Sequence, residues 1–409
     1  MTDETPTGIG RLPEGCRLVH IGPHKTGTTS LQAALYVSRS AMLEQGVRHV
    51  GKTRNPAAAV RSVTGQSAPT TPGVPPSIRF WNDLVGEFNR AKEPRVVVSS
   101  EFFSWARPPV IERIISDLEQ ERLHVVVTLR PLGRILPSQW QQNVQAGTRL
   151  SYETWLERVF SSDSIREHNA FWQLHRHDRL IGEWADALGR DRVTAIVVDE
   201  RDHGMLLRVF ESLLGLREGT IVANRELSNR SMTVPEVEAV RAFNVATREL
   251  GIPRSVHAKA MRFGSAMHMK QRVPDSDEPR IQTPQWALDR AREADLEIAP
   301  AIAASGVRVI GNLHALTEPI ESHGTLDPAS VTVPPRIAAD MAVGILLASG
   351  LARAASARGK DEPAWIEPIE VARVTTWQMT AVLARRYRAA LWRRWQRLVG
   401  RGPSKSISE

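Results

Sequence analysis

The stretch that decides the fold lies at residues 17–35, which read RLVHI, then GPHKTGTTS, then LQAAL. The first five residues are an apolar run typical of a buried strand, and the last five favour a helix. Between them, Gly22 and Gly27 allow a tight backbone path, and residues 28–30 supply hydroxyls and an N-cap. Free N–H groups and the positive end of the helix dipole would meet at one point. The stretch predicts a strand, an anion-binding loop and a helix, with a site for phosphate or sulfate.

The position of the lysine separates this loop from the nucleotide-binding motif Gly-x4-Gly-Lys-Ser/Thr. Thr28 stands where that motif has its lysine, and Lys25 lies two residues before Gly27. The order Lys-Thr-Gly-Thr-Thr resembles the 5′-phosphosulfate loop of sulfotransferases that use 3′-phosphoadenosine 5′-phosphosulfate (PAPS), whose usual form is Pro-Lys-Ser-Gly-Thr-Thr. His24 is an extra residue between the proline and the lysine. An ordinary ATP site is the main rival interpretation.

Length and composition limit the classes of protein to consider. The 409 residues suffice for one large α/β domain with additions or for two domains, and 42% apolar with 24% charged residues is near the globular average. The single Cys16 excludes an intrachain disulfide framework and a cysteine-based zinc site. The net charge of +8 suits anionic ligands, polyanions or a membrane surface. We expect no signal peptide and no transmembrane helix, and therefore a cytoplasmic protein, either free or peripheral at the inner membrane face.

Strand and helix patterns alternate along most of the chain. Strands are predicted near 17–21, 46–51, 95–100, 123–129, 192–198 and 306–311, and helices near 31–35, 78–91, 109–120, 165–188, 235–250, 257–272, 286–304 and 336–357. This alternation predicts an α/β fold with a P-loop-like parallel β-sheet flanked by helices on both faces, and a mostly helical C-terminal extension. Ligands of such sheets bind at the carboxyl ends of the strands.

The predicted organisation has four parts. Residues 1–15 would be a flexible tail, and 16–320 a sulfotransferase-like α/β domain in which 233–320 form a helical portion on the acceptor side. Residues 321–370 would be a linker with an alanine-rich helix. Residues 371–409 would be a basic amphipathic helix and tail, since 371–408 contain no Asp or Glu.

Arg130 follows the predicted strand 123–129, and Ser138 lies eight residues further on. This Arg-x7-Ser spacing is similar to the 3′-phosphate-binding segment of the same sulfotransferases. Residues 229–231 resemble a segment found after the core in bacterial members, which implicates Arg230. The resemblance covers about residues 17–232. It implies that these residues bind PAPS: Lys25, Thr26, Gly27, Thr28, Thr29, Ser30, Arg130, Ser138 and Arg230. Pro137 is predicted to kink or restart the helix that carries Ser138.

The reaction implied by the resemblance moves a sulfuryl group from PAPS to a hydroxyl or amine of an acceptor, which we expect to be a carbohydrate or glycolipid. Lys25 would stabilise charge on the leaving phosphate oxygen, and no metal would be required. A general base must remove the acceptor proton. Glu101, at the end of the strand 95–100, is the preferred base and His24 the second candidate. A cap or an ion pair is an equally simple interpretation of Glu101.

Two other functions stay open. Residues 192–200, RVTAIVVDE, imitate a Walker B strand in which Asp199 would bind magnesium, as in an ATP-dependent kinase-like enzyme. An acidic strand end that caps the next helix is the preferred interpretation, because the Walker lysine is absent. The second alternative is a non-catalytic protein that binds polyanions or a membrane surface.

The remaining charged clusters have simpler interpretations as well. A metal site at residues 175–178, HRHD, is opposed by its arginine. The basic residues of 257–272 would meet an anionic acceptor or the 3′-phosphate, or would be a solvated helix face. Residues 371–400 would form a helix that either touches an anionic membrane or docks on the core. We expect no nucleic-acid partner, and the oligomeric state stays open.

Overall fold

The predicted parallel sheet is confirmed by a computed structural model, which describes residues 9–161, 169–223, 230–324 and 331–350. The strands are β1 (Arg17–His20), β2 (Val47–His49), β3 (Arg95–Ser99), β4 (Leu123–Leu129), β5 (Val193–Val197) and β6 (Arg308–Ile310). All neighbours pair in parallel, in the order β2-β3-β1-β4-β5-β6. β1 is therefore central, and the loops that follow β1, β3, β4 and β5 leave the sheet at one edge.

Helices connect the strands and make up most of the C-terminal part, as predicted. They are α1 (Thr28–Val37), α2 (Arg39–Leu43), α3 (Ala57–Val63), α4 (Arg79–Arg90), α5 (Pro108–Asp117), α6 (Leu132–Gln145), α7 (Tyr152–Val159), α8 (Ala170–His175), α9 (His177–Leu188), α10 (Met205–Leu214), α11 (Val234–Glu249), α12 (Arg254–His257), α13 (Ala266–Met269), α14 (Gln285–Ala304), α15 (His314–Thr317) and α16 (Pro335–Ser349). A π-helix (Ala258–Ser265) joins α12 to α13, and short 3₁₀ turns occupy Glu101–Trp105, Gln120–Arg122 and Arg190–Arg192. No helix in the described residues is long and apolar enough to cross a membrane.

Two hydrophobic cores cover the two faces of the sheet. Successive strand residues point to opposite faces, so that Leu18 joins one core and Val19 the other. The Leu18 core also contains Leu31 of α1 and Phe210 of α10. The Val19 core contains residues of α5, α6, α9 and α14, among them Trp184. The near-continuous apolar strands are explained by this double burial.

Several predicted boundaries were wrong. The helix predicted at 165–188 is two helices, because Arg176 leaves the helical conformation at ψ 80° between α8 and α9; residues 162–168 lie outside the described residues. Pro137 does not restart a helix, since α6 runs through it from Leu132 to Gln145. Such a proline removes one helical N–H donor without ending the helix.

The segment predicted as one helix at 257–272 is divided by the π-helix, which packs against α16. A Cβ on Gly264 would lie 2.6 Å from the carbonyl oxygen of Gly344, and a Cβ on Gly344 would lie 2.6 Å from Cα of Ser265. Ser265 Oγ donates to the carbonyl oxygen of Met341 over 2.8 Å. The two backbones therefore meet with glycine on both sides.

The ends of the chain are described only in part. Within the predicted tail, residues 9–15 pack on the sheet: Leu12 is buried, its N–H donates to the Leu213 carbonyl over 3.0 Å, and Arg95 Nε donates to its carbonyl over 3.0 Å. The predicted alanine-rich helix is present as α16 up to Ser349. Residues 1–8 and 351–409, including the predicted amphipathic helix at 371–400, lie outside the described residues.

Candidate active site

The loop after β1 presents a row of backbone N–H groups. Gly27, at φ 87°, is the N-cap of α1, which begins at Thr28. The expectation that residues 28–30 supply the N-cap was therefore wrong, because the left-handed turn takes place one residue earlier, at a glycine. Within the described residues, the N–H groups of 25–30 have no acceptor, and the first helical bond runs from Leu31 to Gly27. Thr28 is buried, Thr29 is half-buried and Ser30 is exposed.

A buried chain of side-chain hydrogen bonds supports the loop from below. His20 Nδ1 lies 2.7 Å from Ser99 Oγ, and its Nε2 lies 3.2 Å from Thr128 Oγ1. Thr128 Oγ1 lies 2.6 Å from Thr26 Oγ1, which donates to the Pro23 carbonyl over 2.8 Å. Ser99 donates to His20 Nδ1, and His20 Nε2–H donates to Thr128, whose single proton is shared between Thr26 Oγ1 and the Gly22 carbonyl at 3.1 Å. The Thr26 hydroxyl thus holds the loop, and only its backbone N–H is available to a ligand.

Glu101 lies directly against this loop. Gly22 has φ 84°, and a Cβ there would lie 3.0 Å from Cα and Cβ of Glu101, so only glycine permits the approach. Gln32 Nε2 and Asn55 Nδ2 donate to Oε2 of Glu101 over 2.8 and 2.7 Å. No side chain of the described residues donates to Oε1. One carboxylate oxygen is therefore saturated, and the other is available.

The charge of Glu101 follows from these contacts. Burial raises the pKa of its carboxyl group, but the field of His24 and the hydrogen bonds from Gln32 and Asn55 outweigh burial and hold the pKa below its ordinary value. Ser100 Oγ donates to Asn55 Oδ1 over 2.8 Å, which orients that amide toward the carboxylate. Glu101 is therefore an anion at neutral pH.

His24 is held by aromatic neighbours. Trp105 Nε1 donates to His24 Nε2 over 3.3 Å, and the ring of Phe102 meets the imidazole edge-on at 5.3 Å between centroids. Burial lowers the pKa of His24 to about 4. The neutral ring accepts at Nε2, so its proton is on Nδ1, and neither nitrogen has a free lone pair.

Several cations surround the loop without a carboxylate partner among the described residues. Lys25 adopts φ 68°, and burial, then Lys270, Arg262 and Arg130, lower the pKa of its ammonium group to about 8. Burial and the field of Arg262 also lower the pKa of Arg61, to about 10, and of Lys270. Arg262 destabilises the charge of all three groups, Glu101 offsets this in part for Lys25 and Arg61, and Glu236 does so for Lys270. An anion between these groups would stabilise their charges further.

Arg130 and Ser138 line the same cleft, of about 470 Å³, together with Gln141 and Arg280; we call it the Arg130 cleft. Arg130 Nε pairs with Glu200, and Nη1 donates to the Lys25 carbonyl over 3.3 Å. This second bond ties Arg130 to the loop. Ser138 Oγ donates to the Ile135 carbonyl over 2.9 Å, so it would have to rotate to donate to a ligand.

Arg230 is the predicted site residue that the structure does not bring to the loop by any contact. Its guanidinium pairs with both oxygens of Glu236, over 2.6 and 2.7 Å, and donates to the carbonyls of Met269 and Arg272. Glu236 also closes the capping box of α11 with Thr233. Arg230 therefore holds the start of α11, and Arg272 is similarly paired with Glu236 and Glu278.

The residues that suggested a Walker B strand or a metal site are accounted for by local contacts or by burial. Asp199 accepts from the side chain and backbone N–H of Arg201, over 3.1 and 3.0 Å, in an exposed turn. His175 and His177 are fully buried, their ring nitrogens have no partner in the described residues, and burial lowers both pKa values. Asp178 pairs with Arg176. Across the described ranges, no group of three or more His, Cys, Asp or Glu could hold a metal ion.

Some residues of the site carry no recognisable sequence signal. Gln32 and Asn55 look like ordinary polar residues of a helix and a loop, and Thr128 is one of seven residues in an apolar strand. Arg61, on α3, stacks over Phe102 at 3.9 Å from the ring centroid. The placement of Arg262 and Lys270 was among the interpretations of the basic segment 257–272.

The parallel sheet with its β1–loop–α1 unit and the neighbouring strand ends defines an α/β fold of the P-loop-like kind. No protein-family model matches the chain, and no curated protein matches it. Among solved structures, it is similar to the crystal structure of a sulfotransferase from Alicyclobacillus acidocaldarius, with 20% identical residues and a TM-score of 0.37. The match covers 58% of this chain and 95% of that one. So low a TM-score supports no conclusion about activity.

Proposed function

We propose that the protein is a sulfotransferase that moves a sulfuryl group from PAPS to a hydroxyl or amine of an acceptor. One observation carries the proposal: unpaired N–H groups and unpaired cations surround a loop that also faces a carboxylate with one free oxygen. Donors of this kind bind an anionic group at a helix N-terminus. A carboxylate beside them supplies the base that transfer to a hydroxyl requires.

The donor would span the loop and the Arg130 cleft. Lys25 and the N–H groups of 26–30 would hold the 5′-phosphosulfate. Arg130, tied to the Lys25 carbonyl, would hold the 3′-phosphate with Ser138. Arg130 uses Nε for Glu200 and one N–H of Nη1 for the Lys25 carbonyl, which leaves Nη2 and the second N–H of Nη1 for a phosphate oxygen.

The transfer itself is an in-line displacement at sulfur. The acceptor oxygen forms the new S–O bond while the bond from sulfur to the bridging phosphate oxygen breaks, and 3′,5′-ADP leaves. The acceptor proton passes to Glu101 Oε1. Charge that develops on the leaving phosphate oxygen is met by Lys25 and by the loop N–H groups.

Glu101 is preferred over His24 as the base because a base needs a free lone pair to accept the proton. The Nε2 lone pair of His24 is used by Trp105, and Nδ1 carries the proton, whereas no side chain of the described residues donates to Oε1 of Glu101. His24 would instead support the carboxylate. The kinase-like alternative is not favoured, because Asp199 is paired with Arg201 and Thr28 occupies the position of the Walker lysine.

The test compares two ligands on the intact protein. A ligand that binds only the folded state raises the unfolding temperature by mass action. We expect 3′,5′-ADP with a chelator to raise it, and Lys25→Met to reduce the shift. A shift with ATP and magnesium but none with 3′,5′-ADP would reject the proposal. Transfer of labelled sulfuryl from PAPS to an acceptor panel then tests the reaction itself.

A further inference from the structure

A second cleft, of about 510 Å³, lies beside the loop and is lined by five arginines: Arg61, Arg149, Arg248, Arg254 and Arg262. We call it the arginine cleft. Its volume is within the range of about 300–1,000 Å³ that is usual for small-molecule sites. No Asp or Glu lines it. Five cations and no carboxylate make a surface that attracts anions and repels cations.

None of these arginines has a carboxylate partner in the part of the chain that the structure describes. Arginines at a protein surface commonly pair with neighbouring acids, as Arg179 pairs with Glu183 at 2.9 Å. Burial lowers the pKa of Arg61 and of Arg262. The two inner guanidinium groups are therefore desolvated, the field of Glu101 offsets this only in part, and an anionic ligand would add to that compensation.

The inner end of the cleft lies near the candidate base, since Glu101 acts electrostatically on both Arg61 and Arg262. Arg61 lies over the ring of Phe102 at 3.9 Å, and that ring is 5.3 Å from the imidazole of His24. Phe102 directly follows Glu101 in the chain. A molecule in the arginine cleft would therefore have one end near Glu101 and the rest along Arg149, Arg248 and Arg254, which are exposed.

We propose that the arginine cleft binds the acceptor, and that the acceptor is acidic: a hydroxyl compound with carboxylate, phosphate or sulfate groups set back from the reacting hydroxyl. This inference rests on the proposed function, since it assigns the acceptor of the same reaction. The inner arginines bind an anionic group close to the reacting hydroxyl, and the outer ones bind groups further along the molecule. A cationic acceptor is disfavoured, because it would meet five positive charges and no acid.

The rest of the lining supports a polar acceptor. His257 Nε2 lies 2.6 Å from Asn244 Oδ1, and the Asn244 amide donates to the carbonyls of Val144 and Thr148 over 2.8 Å each. These bonds fix the loop that carries Arg149. The cleft is therefore preformed on that side, which reduces the ordering cost of binding.

The experiment measures binding separately from transfer. Isothermal titration calorimetry of the full chain saturated with 3′,5′-ADP uses two matched probe pairs: trigalacturonate against maltotriose, and trehalose 6-phosphate against trehalose. The first pair tests carboxylates and the second a phosphate. We expect only the acidic member of at least one pair to bind, with affinity that falls as salt is raised.

Variants locate the binding. Replacing the three exposed residues together, Arg149→Gln, Arg248→Gln and Arg254→Gln, should weaken acidic-probe binding by about ten- to a hundredfold, since each exposed ion pair accounts for about two- to fivefold. A control triple with the same loss of charge, Arg79→Gln, Arg90→Gln and Arg217→Gln, lies outside the cleft and should leave binding unchanged. Both triples should bind 3′,5′-ADP normally.

The outcomes separate the two proposals. Binding of 3′,5′-ADP without binding of either acidic probe overturns the acidic acceptor and leaves the sulfotransferase proposal intact. Equal effects of the two triples, or equal binding of neutral and acidic probes, overturn it as well. Failure of 3′,5′-ADP to bind the unaltered protein overturns the proposed function, whatever the probes do.

Discussion

Binding of 3′,5′-ADP should cause Lys25 to take up a proton near pH 8. Burial and the neighbouring cations lower the pKa of Lys25 to about 8, so part of the free protein has a neutral lysine. A bound phosphate favours the charged ammonium group and raises that pKa. The neutral fraction, and therefore the uptake, is about 0.1 proton at pH 7, about 0.5 at pH 8 and about 0.9 at pH 9.

Affinity should fall over the same range. Only the protonated form binds well, so the dissociation constant should rise about tenfold between pH 7 and pH 9. Calorimetric titration in two buffers with different ionisation enthalpies gives the number of protons directly. The phosphate groups contribute little above pH 7, because their second pKa is near 6.

Two lysine variants isolate the source of the proton. Lys25→Met should abolish the uptake at pH 8, whereas Lys259→Met, an exposed lysine on the π-helix, should leave it unchanged. The same uptake in the Lys25→Met variant would assign it to another group, such as Lys270. Absence of uptake in the unaltered protein between pH 7 and pH 9 would refute the reasoning about Lys25.

Three further predictions rest on the geometry, and a fourth rests on the sequence of the C-terminal segment. Glu101→Gln should lower the turnover of sulfuryl transfer by about 10²- to 10⁴-fold with 3′,5′-ADP affinity kept, and near-normal turnover would exclude it as the base. Arg130→Ala should weaken 3′,5′-ADP binding by calorimetry about ten- to a hundredfold; unchanged binding removes it from the site. Gly264→Ala should destabilise the protein by about 1–3 kcal/mol in urea unfolding, because its Cβ would meet backbone, whereas Gly182→Ala, with open space around it on α9, should stabilise it by up to about 1 kcal/mol. A chain ending at Glu370 should float less with anionic liposomes than the full chain; equal flotation contradicts the membrane prediction.

The sheet and the loop could be predicted because their signals are local. The apolar strand at residues 17–21, the two glycines and the following helix former are contiguous, and each strand of the core is buried on both faces. Arg130 was predicted because it directly follows a strand whose carboxyl end must face the site. Contiguous patterns of this kind do not depend on how distant segments pack.

The surroundings of Glu101 could not be predicted in the same way. Gln32 and Asn55 lie 69 and 46 residues from it in the chain, and only the packed structure brings their amides to Oε2. The bond from Trp105 to His24, at a separation of 81 residues, was likewise not predictable, and the choice of Glu101 over His24 as the base stays a prediction. The ion pair between Arg230 and the buried Glu236 was not predictable either, and binding of the donor by Arg230 stays a prediction. In each case a tertiary contact decides the role of the side chain.

The buried hydrogen bonds beneath the loop should not change with pH over the ordinary range. Burial lowers the pKa of His20 to about 3, so the imidazole keeps one neutral tautomer under all ordinary assay conditions, and the hydroxyls of Ser99, Thr128 and Thr26 do not ionise there. The backbone donors of the loop should therefore keep their positions while the charges above them change. A series of measurements at different pH values should therefore change the charges of the side chains that face the ligand without moving the loop backbone.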